Sequence, residues 1–346
     1  MARFILRQPS NVTGMVITRT PFRISFFGGG TDYPAWYENV GKGAVLSTTI
    51  NKYCYITCRH LPPFFEHKSR VVWSKIEVVK NHNEVEHNSV RETLKFLNIQ
   101  KGVEIHHQGD LPSRSGMGSN SAFTVGLLNA LNALNGKIVT KKQLALSAIH
   151  IEQKKIKENV GSQDQTAAAF GGFNKIEFGG PEKIAVQPII LHPKKLDLFQ
   201  NHLMLFFTGI SRTASEIAAE QIKNTSQKTV ELKTMLEMVD EAIKILSGNY
   251  SLDDFGKLLN ESWKIKRSLT SQITNSDIDE IYETGIKNGA LGGKLLGAGG
   301  GGFILFFVKP EQQKKVREAL KNLLYVPFNF ENSGSQVIYY APNHTF

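Results

Sequence analysis

The chain has 346 residues, enough for two domains or one large domain with a well-buried core. It is 41% hydrophobic and 21% charged, with no low-complexity tract and no run of about 18 apolar residues that could span a membrane. A net charge of +10 admits nucleic acid, anionic membrane surfaces or anionic small substrates as partners. The lysines, however, lie along amphipathic segments (KKQ, KKIKE, KIKR, KPEQQKK) without interleaved stacking aromatics. They read as solvated helix faces, which excludes nucleic acid and leaves a bias toward phosphorylated ligands. The start, MARFILRQPSNVTG, lacks the apolar centre of a secretory signal, so residues 1–14 read as a flexible leader and the protein as cytoplasmic.

In chain order, residues 16–27 and 43–60 are rich in β-branched and aromatic residues and read as strands, followed by strands at 71–79 and 102–109. Cys54 and Cys58 fall on one face of the second strand and read as reduced core cysteines. Helices are expected at 90–97, 119–135 and 140–158, the second carrying Phe123, Leu127, Ala130, Leu131 and Leu134 on one apolar face. Strand character returns in FGGFNKIEFGG and KIAVQPIIL, and residues 191–201 read as a boundary. Beyond it come a strand (HLMLFFTG), helices at 213–247 (broken once), 252–267 and 276–288, the strand GFILFFV, a helix at 310–323, and a last strand near SQVIYYA. Strands and helices mixed in both halves predict a two-domain α+β protein without internal repeats.

Four clusters carry chemistry. In LPSRSGMGSNSAF, a turn with Gly116 and Gly118 opens a long helix at Ser119, as an anion cradle requires: glycines let backbone N–H groups approach a phosphate, and the helix start adds unpaired N–H groups and a positive dipole end. An ordinary serine-capped helix after a glycine turn is the alternative. In PFRISFFGGGTDYP, Arg23 lies within an apolar strand, and the turn after it displays Thr31 and Asp32, groups suited to sugar hydroxyls. The alternative there is a hairpin turn with an Asx cap at Asp32 and Arg23 reaching outward. In HIEQKKIKENVGSQDQTAAAFGG, Glu152 shares a helix face with Leu144, Ala148 and Ile151, and Asp164 stands in a polar turn. One carboxylate for Mg²⁺ and a second to align a hydroxyl would make a kinase pair, with a salt bridge for Glu152 and a helix cap for Asp164 as the alternatives. In GGKLLGAGGGGFILFF, dense glycine before an apolar strand implies close approach to a backbone or ligand.

PFRISFFGGGTD, LPSRSGMGSNSA and KLLGAGGGGF, in that order, resemble the three motifs of the GHMP kinases, from about Ile17 to Val308. Within that superfamily TPFRISFFGGGTDYP, GSQDQTAAAFGG and FFTGISRTASEIA are most similar to the D-glycero-D-manno-heptose 7-phosphate 1-kinases, with galactokinases and fucokinases as neighbouring alternatives acting on unphosphorylated sugars. The resemblance implies an N-terminal ATP-binding domain like ribosomal protein S5 domain 2 (15–195) and a ferredoxin-like C-terminal domain (196–346). It implies ATP and Mg²⁺, a small sugar phosphate as the other partner, and a monomer or homodimer. It implies that Pro112, Ser115, Gly116, Met117, Gly118, Ser119, Asn120 and Ser121 hold the nucleotide, that Glu152 with Asn120 and Ser119 holds the metal, and that Asp164 and Arg23 are catalytic. Substrate contacts are implied at Gly29, Gly30, Thr31, Asp32, Gly299 and Gly300. Asn120 departs from the family, which usually has a serine hydroxyl there. Arg114, Arg212 and Lys294 are candidates for the substrate phosphate.

Overall fold

A computed structural model describes residues 14–62, 64–113, 115–179, 183–210 and 214–341. The chain runs β1 (Met15–Phe27), α1 (Pro34–Val40), β2 (Gly43–His60), β3 (Ser69–Val72), β4 (Ile76–Val79), α2 (Asn88–Phe96) and β5 (Val103–Gly109). Next come α3 (Ser119–Leu134), α4 (Lys141–His150), a π-helical extension (Ile151–Ile156), α5 (Gln163–Phe170), β6 (Phe173–Phe178) and β7 (Ile184–Pro188). The second half contains α6 (Pro193–Asn201), β8 (Leu203–Phe207), α7 (Ala214–Asn224), α8 (Thr229–Ser247), α9 (Leu252–Arg267) and α10 (Ser276–Lys287). It closes with β9 (Ala290–Leu295), β10 (Phe303–Val308), α11 (Gln313–Ala319), β11 (Leu324–Tyr325), β12 (Phe330–Glu331) and β13 (Gln336–Ala341).

Among the described residues the first sheet has nine strands on the path β13-β1-β2-β5-β3-β4, with β6, β7 and β12 attached at the other end of β2, and the second is β11-β8-β10-β9. The burial of β1 explains the position of the site. Its first residues alternate between half-buried and buried, whereas Thr20 to Phe27 are buried without a break. That second half is enclosed on both faces, and it is where Arg23 stands, paired in register with Thr49 of β2. Helix α3 crosses β1 and β2 so closely that Thr18 Oγ1 donates to Gly126 O at 3.0 Å. It is buried far beyond the one expected apolar face, Val125 and Leu128 included, because α2, α4 and α5 pack on its other side.

One expectation changes. The run 71–79 is a hairpin, not one strand: it turns at residues 73–75, where Trp73 N donates to Lys75 O at 2.9 Å. Residues 191–201, expected as a boundary, are largely helical. They form α6, whose fully buried Phe199 lies 4.7 Å from Phe255 and 5.8 Å from Phe173, ring centre to ring centre, so one aromatic core joins both halves. The terminal strands β12 and β13 pair with β2 and β1 and complete the first sheet, so that sheet draws on residues from both ends of the chain. Of the expected leader only Gly14 lies within the described residues. Cys54 and Cys58 are buried and unbridged, and no helix of the described residues is long and apolar enough to cross a membrane.

Candidate functional site

Three chain segments converge at the start of α3. The Met117 carbonyl accepts from Arg23 N at 3.1 Å, which ties the glycine turn to β1. Gly116 and Gly118 adopt left-handed φ of 80° and 75°. A Cβ on Gly116 would sit 2.4 Å from Leu296 O, and one on Gly297 would sit 2.5 Å from Gly116 Cα. The LPSRSGMGSNSAF and GGKLLGAGGGGFILFF clusters therefore touch backbone to backbone, which answers the question raised by the glycine density near residue 297. Gly297→Ala is expected to force these turns apart and to lower the denaturant midpoint by an amount equivalent to about 2 kcal/mol, since the new methyl meets backbone at a positive φ. An unchanged midpoint would contradict the contact.

The N-cap of α3 is Gly118, in the left-handed conformation, and no side-chain cap is made among the described residues. This favours the anion cradle over the serine-capped helix. Gly116, Gly118, Ser119, Asn120 and Ser121 line a cavity of about 260 Å³. Ser119 and Asn120, with Glu158, also line an adjoining cavity of about 780 Å³ walled by Trp73, His87 and Phe123. The rings of His87 and Phe123 stack at 4.6 Å, and burial pushes the His87 imidazole down to about 4, so it stands there neutral. Three of the expected loop residues do not turn a side chain toward either cavity. Pro112 is exposed and lines neither cavity, Ser115 is buried with Oγ on Pro112 O at 2.7 Å, and the Met117 side chain is in the core.

On the smaller cavity, Arg23 grips Asp164 with both arms of its fork, Nε to Oδ1 and Nη2 to Oδ2, each at 2.8 Å. Its remaining Nη1 donates to Gly116 O at 2.6 Å. Arg23 is 4% exposed, so it does not reach outward to solvent, and Asp164 is a partner carboxylate in the first turn of α5, not a helix cap. Asp32 lines the same cavity, accepts from Gly30 N at 2.9 Å, and has its pKa raised by burial and then by the neighbouring Asp164. Gly29 and Gly30 line it too. Thr31 does not: it is fully buried, with Oγ1 donating to Gly28 O at 2.8 Å and Ala44 O at 2.9 Å, so its hydroxyl braces the turn. Gly299 and Gly300 pack on Ile273, with Gly300 N on Ile273 O at 2.9 Å, while Gly297 and Ala298 face the cavity.

Glu152 is 1% exposed. Ser121 Oγ donates to its Oε2 at 2.8 Å, Gln165 Nε2 donates to the same oxygen, and Oε1 accepts no hydrogen bond. Burial pushes its carboxyl up to about 7, with donors such as Thr124 and Gln165 pulling back. The alternative, a salt bridge for Glu152, is absent among the described residues, and an orphaned oxygen behind a cavity-lining serine fits a cation. No cluster of three or more His, Cys, Asp or Glu able to hold a metal occurs among the described residues, so such a cation would take most of its ligands from phosphate and water. A raised carboxylate pKa stabilises the fold below the unfolded value of about 4.5, and that stability is lost as pH rises through 7. In metal-free buffer the melting temperature is therefore expected to fall between about pH 5 and 8, and Glu152→Gln to flatten that slope. A wild-type slope that survives the substitution would place the titration elsewhere.

Lys266 and Lys294 were not expected where they are. Lys266 lies on α9 in the stretch KIKR, read from sequence as a solvated face, yet it lines the smaller cavity at 5% exposure. Leu252, Phe255, Leu259, Trp263 and Lys266 share the buried stripe of α9, a signal the sequence contains. Lys294 is neither a surface residue nor a cavity ligand: its Nζ donates to Phe26 O at 2.9 Å, and burial holds its pKa well below the usual lysine range. Arg114 and Arg212 lie outside the described residues.

A family profile described as GHMP kinases N terminal domain matches residues 79–172, and one described as GHMP kinases C terminal matches residues 249–326. The D-glycero-alpha-D-manno-heptose 7-phosphate kinase of Campylobacter jejuni is 30% identical over 338 residues, covering 92% of this chain and 97% of that protein. The structure of a D-glycero-D-manno-heptose 1-phosphate kinase from Bacteriodes thetaiotaomicron superposes with a TM-score of 0.69 at 24% identity, covering 94% of this chain and 99% of that one. Lactococcus lactis galactokinase complexed with galactose superposes at 0.71 with 20% identity, covering 94% and 95%.

Proposed function

Because the chain belongs to the GHMP kinases, phosphotransferases with an alcohol group as acceptor, we propose that it transfers the γ-phosphoryl of ATP to the C1 hydroxyl of D-glycero-D-manno-heptose 7-phosphate, giving the 1,7-bisphosphate for nucleotide-heptose synthesis. One observation carries this reading: the large and small cavities meet at Ser119 and Asn120, with the Arg23–Asp164 pair on the small side. The nucleotide occupies the larger cavity and the acceptor the smaller, and the phosphoryl group crosses at the start of α3.

Asp164 accepts the proton of the acceptor hydroxyl and orients its oxygen for in-line attack. Arg23 fixes the carboxylate through two parallel bonds, so its angle to the acceptor is set before the acceptor arrives. The first-turn N–H groups of α3 and the Gly116–Gly118 backbone bind phosphate oxygens and stabilise charge that shifts onto the leaving group. Asp32 and the Gly29–Gly30 backbone bind sugar hydroxyls. Glu152, Ser121 and the Asn120 and Ser119 side chains would hold Mg²⁺, which when bound neutralises charge on the phosphates.

The test is ADP release with Mg²⁺-ATP across heptose 7-phosphate, free heptose, galactose, fucose and mevalonate. Turnover confined to heptose 7-phosphate, with both phosphates retained in the product, supports the reading. Turnover on a free sugar would replace it with a galactokinase- or fucokinase-like activity.

A further inference from the structure

The proposed acceptor carries a phosphate of its own, and a dianion entering a cavity needs a cationic partner. Among the described residues, the cations lining the smaller cavity are Arg23 and Lys266. Arg23 is committed in charge: its guanidinium is paired through two bonds with the Asp164 carboxylate, and three of its five N–H donors go to Asp164 and Gly116 O. Lys266 is not. Its ammonium has three donors, and the hydrogen bond it makes to protein is with Gly297 O. That bond anchors Nζ to the cavity-lining glycine turn that touches the phosphate loop at Gly116.

The charges around Lys266 leave it under-compensated. Arg23 on β1 and Lys294 on β9 repel it, while Asp32, in the turn after β1, and Asp164 on α5 attract it. Asp164 is engaged by Arg23, and Asp32 is itself pushed toward its neutral form by burial. Burial first, and then the Arg23 charge, hold the Lys266 pKa down to about 8. A lysine kept out of water at such a cost, with no carboxylate paired to it among the described residues, is arranged for an anion that comes and goes.

We infer that the Lys266 ammonium is the recognition group for the phosphate substituent of the acceptor, and that it makes the site select a sugar phosphate over the corresponding free sugar. The inference rests on the kinase reading above and deepens it. A free sugar would leave the buried ammonium with Gly297 O and no counter-charge, whereas a phosphate supplies both charge and acceptor atoms.

Calorimetric titration of heptose 7-phosphate and of free heptose into the full chain, saturated with a non-hydrolysable ATP analogue, tests it. The wild type is expected to favour the phosphorylated sugar by about 10- to 100-fold, the range for hydrogen bonds to charged groups. Lys266→Met is expected to reduce that preference to a few-fold while keeping its affinity for the analogue, and Lys266→Arg to retain it. A Lys266→Met protein with the preference intact overturns the inference and leaves the kinase assignment standing. A wild type that binds both sugars alike overturns the inference together with the choice of a phosphorylated acceptor. If Lys266→Met does not fold, the wild type decides. At about pH 8.5, where the phosphate is already dianionic, binding of heptose 7-phosphate should take up a proton that free heptose does not, read from the heat in two buffers of different ionisation enthalpy.

Discussion

Replacing Asp164 with asparagine is expected to lower kcat by about 10²- to 10⁴-fold, the span for removing a positioned general base, while the KM for ATP changes little. The substitution keeps the size of the side chain and removes its basicity. It also turns an amide NH₂ toward one arm of the Arg23 fork, so one of the two 2.8 Å bonds is lost. The acceptor hydroxyl is then misaligned as well as unassisted. ATP affinity is spared because Asp164 lines only the smaller cavity, and the phosphate cradle is the backbone at the start of α3. Steady-state kinetics with ATP and acceptor varied separately checks both halves. An unchanged kcat would remove Asp164 from the chemistry.

Arg23→Met is expected to damage both activity and stability. Arg23 is 4% exposed and satisfies two oxygens of Asp164 and the Gly116 carbonyl at once. Methionine fills most of the volume and leaves those acceptors unpaired. Breaking a buried pair costs about 3–5 kcal/mol, and the lower figure applies because the Asp164 side chain keeps 26% of its surface in the cavity. Activity is expected to fall about 10²-fold or more, since the carboxylate loses its orientation and the site loses a fixed positive charge. Arg23→Lys should recover stability better than activity, because a single ammonium cannot reproduce the paired geometry. Chemical denaturation of both variants, set beside their kcat values, separates the effects. If Arg23→Met kept full activity, the arginine would be a purely structural partner of Asp164.

The four variants act at distinguishable places. Asp164→Asn tests the hydroxyl, Arg23→Met the support of the base, Gly297→Ala the seam between the glycine turns, and Glu152→Gln the buried carboxylate behind Ser121. Glu152→Gln is expected to change how stability depends on pH between about pH 5 and 8, because Glu152 is pushed up to about 7 by burial.

Much of this protein is determined locally and is therefore legible in the sequence. The strand-to-helix turn at Gly116–Ser121 needs glycine for its backbone and a helix for its dipole, and both requirements are written in consecutive residues. The strands of β1 and β2 and the helices α3, α8, α9 and α10 follow from patterning. So does the suspicion attached to Arg23, since a charge within an apolar strand demands a partner. The identity of that partner, Asp164, lies 141 residues away and could be inferred from the family motifs but not from Arg23 itself.

The rest required the third dimension. Thr31 and Ser115 look like ligand hydroxyls in sequence, but each turns inward to a backbone carbonyl, and nothing in a hydroxyl's identity says which way it faces. Gly299 and Gly300 are indistinguishable in type from Gly297, yet only the packing of Ile273 decides which glycines face the cavity. Residues 191–201 read as a boundary in sequence, while one residue among them, the buried Phe199, packs against rings from both halves. Strand β13 is placed by pairing with a partner more than 300 residues earlier, since Arg19 Nη2 reaches Gln336 Oε1 with a sequence separation of 317. Lys266 was hidden within a basic stretch that resembles any solvated helix face. A side chain's type and its local period are properties of the sequence. Which surface closes over it, and what charge is left unpaired beneath, are properties of how distant segments pack.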